Sequence, residues 1–169
     1  MTPVVNWFER KFEFSFPVEQ HATLMVRLRG TPARLEEMLL GAAHGVLLNR
    51  PGGKWSAQEH AGHLEDLETL WRARVEDYLS SGDDLTAADL SNRKTNEAQH
   101  NDRRLPDILA GFRTARFALV NRVAQLNPEI FGRTKLHPRL KQPMRLVDHL
   151  YFAAEHDDHH LAKIWELIS

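Results

Sequence analysis

Apolar residues recur at helical spacing in four separate stretches of this chain, and this periodicity constrains the fold more than any other feature. The clearest stretch carries apolar side chains at positions 61, 64, 67, 70, 71, 75 and 78. Ser56 and Glu59 precede it at the spacing of a capping box, in which each side chain satisfies a free backbone N–H of the first turn. No stretch alternates apolar and polar residues as a half-buried strand does. The sequence therefore predicts an all-α fold.

Turn-forming residues divide the four helical stretches. The first helix is expected to follow Pro17 and to kink at Gly30-Thr31-Pro32. Thr31 is the expected N-cap of the part after the kink, and Pro32 suits the first helical position of that part. The third begins near Pro106 and stops at Asn127-Pro128, and the last runs from position 144 to about 168. Polar or basic connections at about 81–104 and 131–143 are longer than a tight turn. The prediction is a four-helix bundle with a kinked first helix and longer connections after helices 2 and 3.

Length and composition limit the class of protein. A chain of 169 residues suits one domain, here 1–169. It has no cysteine, which excludes thiolate zinc sites, iron–sulfur sites and a cysteine nucleophile. The net charge of −1 argues against a nucleic-acid partner. No apolar run approaches the roughly 20 residues that span a bilayer, and no secretory signal is visible. We expect a cytoplasmic protein without a membrane partner.

Two of the ten histidines lie one turn apart on the last helix. His156 and His160 share a face, and a helical wheel places both at the edge of the apolar stripe. His159 falls on nearly the opposite side and is expected to meet solvent. Asp157 lies near the middle of the stripe, so its carboxylate must be paired, hydrogen-bonded or placed at an oligomer contact. The pair is a candidate half of a metal site.

A third ligand has to come from elsewhere in the chain. The second helix offers His60 and His63, and the wheel places His60 nearer the centre of its apolar face. His149 lies about 10 Å from His156 along the helix, too far to join the same site directly. Three histidines without a carboxylate favour Zn²⁺ or Ni²⁺. The remaining candidates are expected on the surface or in loops: His21, His44, His100, His137 and His149.

Three segments together resemble the DinB-like superfamily of bacterial metal-binding helical bundles, in particular its YfiT-type members. They are residues 28–35 (LRGTPARL), 54–64 (KWSAQEHAGHL) and 154–160 (AEHDDHH). The resemblance implies one divalent metal held by His63, His156 and His160, and the choice of His63 over His60 rests on it alone. It also implies a role for Asp66, one turn after His63, as a partner that orients the ligand or as a base.

The resemblance implies two classes of function. One is a metal-dependent thiol S-transferase in stress response or detoxification, which uses a low-molecular-weight thiol such as bacillithiol, mycothiol or glutathione. The other is a non-catalytic, stress-induced metal-binding protein, and a metal-dependent hydrolase with Asp66 as base is a third hypothesis. A homodimer is also implied. Basic residues of the second long connection are candidates to meet an anionic thiol: Arg133, Lys135, Arg139 and Lys141.

Overall fold

Four long helices form the protein, as the periodicity predicts. The computed structural model describes residues 3–169. The long helices are α1 (His21–Leu39), α3 (Ala57–Asp77), α5 (Leu105–Ala124) and α6 (Leu146–Ile168), and two short ones are α2 (His44–Leu47) and α4 (Arg93–Glu97). Helix α1 packs on α5 and α6, and α3 packs on the same two helices from the other side. Within residues 3–169, no helix is both long and apolar enough to cross a membrane.

The predicted helix boundaries hold except at three places, the first of which is the start of α1 at His21, after a 3₁₀ turn at Val18–Gln20 that follows Pro17. The capping box of Ser56 and Glu59 begins α3, with both of its hydrogen bonds formed. Pro32 lies inside α1, but Thr31 is no N-cap, because its hydroxyl turns into the core and donates to Oδ2 of Asp157 at 2.8 Å. The prediction for Thr31 was therefore wrong, since a long-range hydrogen bond replaces the local one.

A short antiparallel hairpin stands where the sequence indicated only a loop and the start of the last helix. Strands β1 (Thr134–Leu136) and β2 (Pro143–Arg145) pair with Lys135 opposite Met144. Helix α6 consequently begins at Leu146, two residues later than predicted, and the carboxylate of Asp148 accepts from the backbone N–H of Arg145. Strands of three residues are too short to show alternation, which explains why the hairpin was missed.

A buried polar group, which we call the central node, lies between two apolar clusters of the core. Each long helix contributes one residue to the node: Thr31, Glu68, Arg116 and Asp157. On every long helix, the residues about one turn before and one turn after the node residue belong to different apolar clusters. On α5, for example, Phe112 before Arg116 lies in one cluster and Leu119 after it lies in the other. The node therefore ties all four helices together at mid-height of the bundle.

Arg116 is the centre of this node and provides the partner that the buried carboxylate of Asp157 requires. Its guanidinium is fully buried, pairs with both oxygens of Asp157 and donates twice to Oε1 of Glu68, at 2.6 and 3.0 Å. Burial raises the pKa of Glu68 to about 7, against the lowering effect of Arg116. Burial alone would lower the pKa of Arg116, but the two carboxylates raise it, so the arginine stays charged.

Candidate metal centre

Three histidines from two helices converge on one point. His63 of α3 and His156 and His160 of α6 each offer a ring nitrogen, and these nitrogens all lie within 4.8 Å of one another. All three residues are buried, with 3% to 6% of their surface exposed. The structure thus brings together the three residues that the family resemblance implied.

The spacing within α6 suits a shared ion. Nε2 of His156 and Nε2 of His160 are 3.2 Å apart. Two nitrogens bound to one tetrahedral zinc at about 2.0–2.1 Å lie about 3.3 Å apart, so little movement separates the observed geometry from a coordinated one. The same separation permits a hydrogen bond while no ion is bound. The donor set, three imidazoles without a carboxylate, fits a divalent transition metal.

His63 is held by a hydrogen-bonded chain that the sequence did not predict. Its Nδ1 lies 2.9 Å from the hydroxyl of Thr95, which in turn donates to Oδ2 of Asp66 at 2.9 Å. Because the hydroxyl proton goes to Asp66, Thr95 accepts the Nδ1 proton of His63. Nε2 of His63 is therefore left unprotonated and available to a metal. The orienting role implied for Asp66 passes through Thr95, which lies on the short helix α4 within the long polar connection.

Asp66 is itself surrounded by donors. His100 Nε2 lies 2.8 Å from its Oδ2, and Lys94 Nζ lies 3.4 Å from its Oδ1. Although burial would raise the pKa of Asp66, hydrogen bonds from His100 and Thr95 lower it below its ordinary value. Asp66 thus has its Oδ2 occupied by two donors and its pKa lowered, which suits a residue that positions its neighbours better than one that accepts a proton.

His60 lies beside the three-histidine group and not in it. Its Nδ1 is 2.8 Å from Nδ1 of His160. If His160 binds an ion through Nε2, its Nδ1 carries the proton and donates to His60. The geometry therefore gives His60 the place of a supporting partner, as a neighbour of a ligand commonly has.

Burial keeps these imidazoles neutral. It lowers the pKa of His63 to about 4 and that of His60 to about 3, and it holds the pKa values of His156 and His160 well below their ordinary range. Only neutral imidazole can bind a metal ion, so the site is ready for one at neutral pH without losing a proton.

Several histidines expected at the surface are in fact buried. His159 was predicted to meet solvent, but Trp7 packs on it at 5.7 Å between ring centroids, because the N-terminal segment 3–16 crosses this face of α6. His100 fills the space over Gly62, where a Cβ would collide with its ring. His137 and His149 are also buried, against Phe152 and Trp71 respectively. Helical periodicity does not show which side chains are buried by segments that are distant in the sequence.

A cavity of about 620 Å³ opens onto the three histidines. Its wall is mainly apolar and aromatic, with Leu70, Trp71 and Phe152 from the bundle and Trp7 and Phe8 from the N-terminal segment. Of the four basic loop residues, Arg139 alone lines it. Arg133 donates to the carbonyl of Tyr78, Lys135 donates to the carbonyls of Ser80 and Gly82, and Lys141 is exposed away from the cavity wall.

Replacing Thr95 by valine should weaken binding of a divalent ion by about 10–100-fold, because the tautomer and orientation of His63 lose their support. The measurement is a zinc titration in competition with a chromophoric chelator. Thr114, an exposed threonine of α5, provides the matched control as Thr114→Val. Equal zinc affinity in both variants would contradict a positioning role for Thr95.

The metal-free protein should lose stability as the pH falls from about 6.5 to about 4. In this window the unfolded chain protonates His60, His63, His137 and His159, whose folded pKa values are about 3 to 4, while the folded chain does not. Each fully buried histidine contributes at most about 1.4 kcal/mol per pH unit. Glu68 acts in the opposite sense between about pH 4.5 and 7, but it is a single group. Urea unfolding at a series of pH values tests this, and a flat profile would contradict it.

The fold and the histidine cluster define a four-helix-bundle protein with a site suited to one divalent metal ion. A sequence profile of the DinB superfamily matches residues 27–164. The chain therefore belongs to the DinB superfamily, as the three segments predicted.

A solved structure has the same fold. It is YfiT from Bacillus subtilis, described as "a probable metal-dependent hydrolase with an unusual four-helix bundle topology". The two chains superpose with a TM-score of 0.81 at 22% identity, over 94% of this chain and 91% of the other. At this identity the likeness establishes the fold. A search of curated proteins found no match to this sequence.

Proposed function

We propose that this protein is a metal-dependent thiol S-transferase that holds one divalent ion, zinc or nickel, on His63, His156 and His160. The observation that carries the proposal is that all three histidines line a cavity large enough for a small molecule. An ion that served only to tie α3 to α6 would need a closed set of four ligands and no adjoining cavity. The cavity therefore supports an enzyme over a non-catalytic metal-binding protein.

The residues around the site suit activation of a thiol. A bound divalent cation lowers the pKa of a coordinating thiol, so that the thiolate forms at neutral pH. His63 is held in position by Thr95, and His160 by His60, which limits movement of the donor nitrogens. The aromatic wall of Trp7, Trp71 and Phe152 gives an apolar electrophile a surface to pack on.

A metal-dependent hydrolase is the second candidate, and the description of YfiT favours it. Such an enzyme needs a carboxylate or similar base beside the attacking water. The cavity wall has two carboxylates, Asp66 and Asp89. Asp66 accepts hydrogen bonds from Thr95 and His100, and Asp89 accepts them from Ser91 and the backbone of Arg93. With both carboxylates so engaged, thiol transfer is better supported.

The test is an activity comparison on tag-free, zinc- or nickel-loaded protein. Glutathione, mycothiol and bacillithiol are each offered with the electrophile monochlorobimane, and hydrolysis of p-nitrophenyl acetate is followed without thiol. We expect conjugation with at least one thiol, lost on chelation and in His160→Ala, and no metal-dependent ester hydrolysis. Metal-dependent hydrolysis without any thiol would favour the hydrolase. Absence of both activities in fully loaded protein would favour the non-catalytic role.

A further inference from the structure

Two guanidinium groups line the cavity without a carboxylate partner. Arg74 is 2% exposed, yet its side-chain hydrogen bonds run to the carbonyl of Thr86 at 2.8 Å and to Nε2 of His137 at 3.2 Å. Within residues 3–169, neither Arg74 nor Arg139 forms an ion pair, whereas the buried Arg116 has two carboxylates. A buried charge normally has a partner, so the missing anion is expected to come from a ligand.

His137 adds an unmatched donor to the same wall. Nδ1 of His137 accepts from the backbone N–H of Leu140 at 3.1 Å, and Nε2 faces Nη1 of Arg74. A neutral imidazole accepts at only one of its two nitrogens. His137 cannot therefore accept from Leu140 and Arg74 together, and one N–H at this point remains without an acceptor among the residues that the structure describes.

Arg139 brings a second positive charge to this wall. Its Nη2 is buried and has no hydrogen-bond partner in the part of the chain described. Its guanidinium packs on the rings of Phe8 and Phe152, with Cζ 5.4 and 5.8 Å from the ring centroids. Burial lowers the pKa of Arg74 to about 10, and the like charge of Arg139 acts in the same direction. An anion beside both guanidinium groups would offset the burial of their charges and their mutual repulsion, and it would accept from the unpaired N–H groups.

We propose that Arg74, Arg139 and His137 form a subsite for a carboxylate of the substrate. A carboxylate presents two oxygens that match the planar fork of a guanidinium, and the unpaired donors here are of that kind. The subsite and the three histidines line one cavity. Trp71 lies between them, with its ring 5.3 Å from His156 and 5.7 Å from Cζ of Arg74. The inference extends the proposed function, because it makes the substrate a thiol acid whose sulfur reaches the histidines.

Three small probes distinguish binding at the carboxylate subsite from binding at the three histidines. Mercaptosuccinate carries a thiol and carboxylates, succinate carries carboxylates alone, and 2-mercaptoethanol carries a thiol alone. Each is titrated calorimetrically into zinc-loaded protein, and succinate also into metal-free protein. The test variant is Arg139→Met, chosen because Arg139 is half-buried and tolerates replacement better than Arg74. The control is Lys141→Met, which removes the same charge from the same loop outside the cavity.

The expected result is a loss of at least about tenfold in mercaptosuccinate affinity in Arg139→Met, the size of one charge-assisted hydrogen bond. Lys141→Met should bind mercaptosuccinate as the unaltered protein does, and the affinity for 2-mercaptoethanol should stay the same in all three proteins. If Arg139→Met binds mercaptosuccinate and succinate as tightly as Lys141→Met does, the subsite is overturned. If succinate binds and depends on Arg139, while mercaptosuccinate binds no more tightly than succinate and 2-mercaptoethanol does not bind zinc-loaded protein, the subsite stands and the thiol-transferase proposal fails.

Discussion

Replacing His160 by alanine is expected to lower the affinity for zinc by more than about 100-fold. This exceeds the 10–100-fold cost typical of a lost supporting partner, because His160 supplies one of the three converging nitrogens. The measurement is chelator competition on tag-free protein, with circular dichroism to show that the helices persist. His44→Ala is the matched control, since His44 is exposed and belongs neither to the three-histidine group nor to the cavity wall.

The same titration distinguishes the two histidines of α3. His63→Ala should match the loss in His160→Ala, whereas His60→Ala should cost about 10–100-fold, because His60 only supports His160 through a hydrogen bond. A larger loss in His60→Ala than in His63→Ala would reverse their roles.

Replacing Arg116 by methionine is expected to lower the free energy of unfolding by about 3–5 kcal/mol, the cost of breaking a buried ion pair by removing one partner. Without the guanidinium, Asp157 retains the Thr31 hydroxyl as its remaining side-chain partner, and Glu68 loses both of its hydrogen bonds. Urea unfolding followed by circular dichroism measures the change. All four long helices should lose stability together, since each contributes to the central node.

Two further variants test whether the loss of the buried charge pair causes the fall in the free energy of unfolding. Arg122→Met lies on the same helix but removes an exposed pair with Glu76, and it should cost no more than about 1 kcal/mol. Adding Asp157→Asn to Arg116→Met should recover part of the loss, because the unpaired buried carboxylate is removed. Equal losses in Arg116→Met and Arg122→Met would contradict the importance of the node.

Periodicity predicted the bundle and two of the three histidines of the site. The i, i+4 spacing of His156 and His160 is enough to indicate a shared ion, since one helix fixes the relation between the two side chains. The wheel placed His60 nearer the apolar face than His63 but did not decide which of them is the ligand, and only the family resemblance pointed to His63. In the structure both side chains reach α6, but His63 joins the three-histidine group, whereas His60 contacts Nδ1 of His160.

Other residues were out of reach because distant segments determine their surroundings. Arg116 lies in a helix where an arginine normally indicates a solvent face, and nothing local shows its carboxylate partners on two other helices, Glu68 and Asp157. Thr95 belongs to a polar connection without periodicity. His159 is covered by Trp7, which is more than 150 positions away. Each of these depends on tertiary contacts that no local pattern contains.

Anomalous diffraction at the zinc edge from a zinc-soaked crystal tests the metal centre most directly. The expected result is one strong peak about 2.0–2.2 Å from a ring nitrogen of each of His63, His156 and His160, on the side that faces the cavity. A peak that involves His60 in place of His63 would change the ligand set. No peak among these histidines at saturating zinc would contradict the metal centre itself.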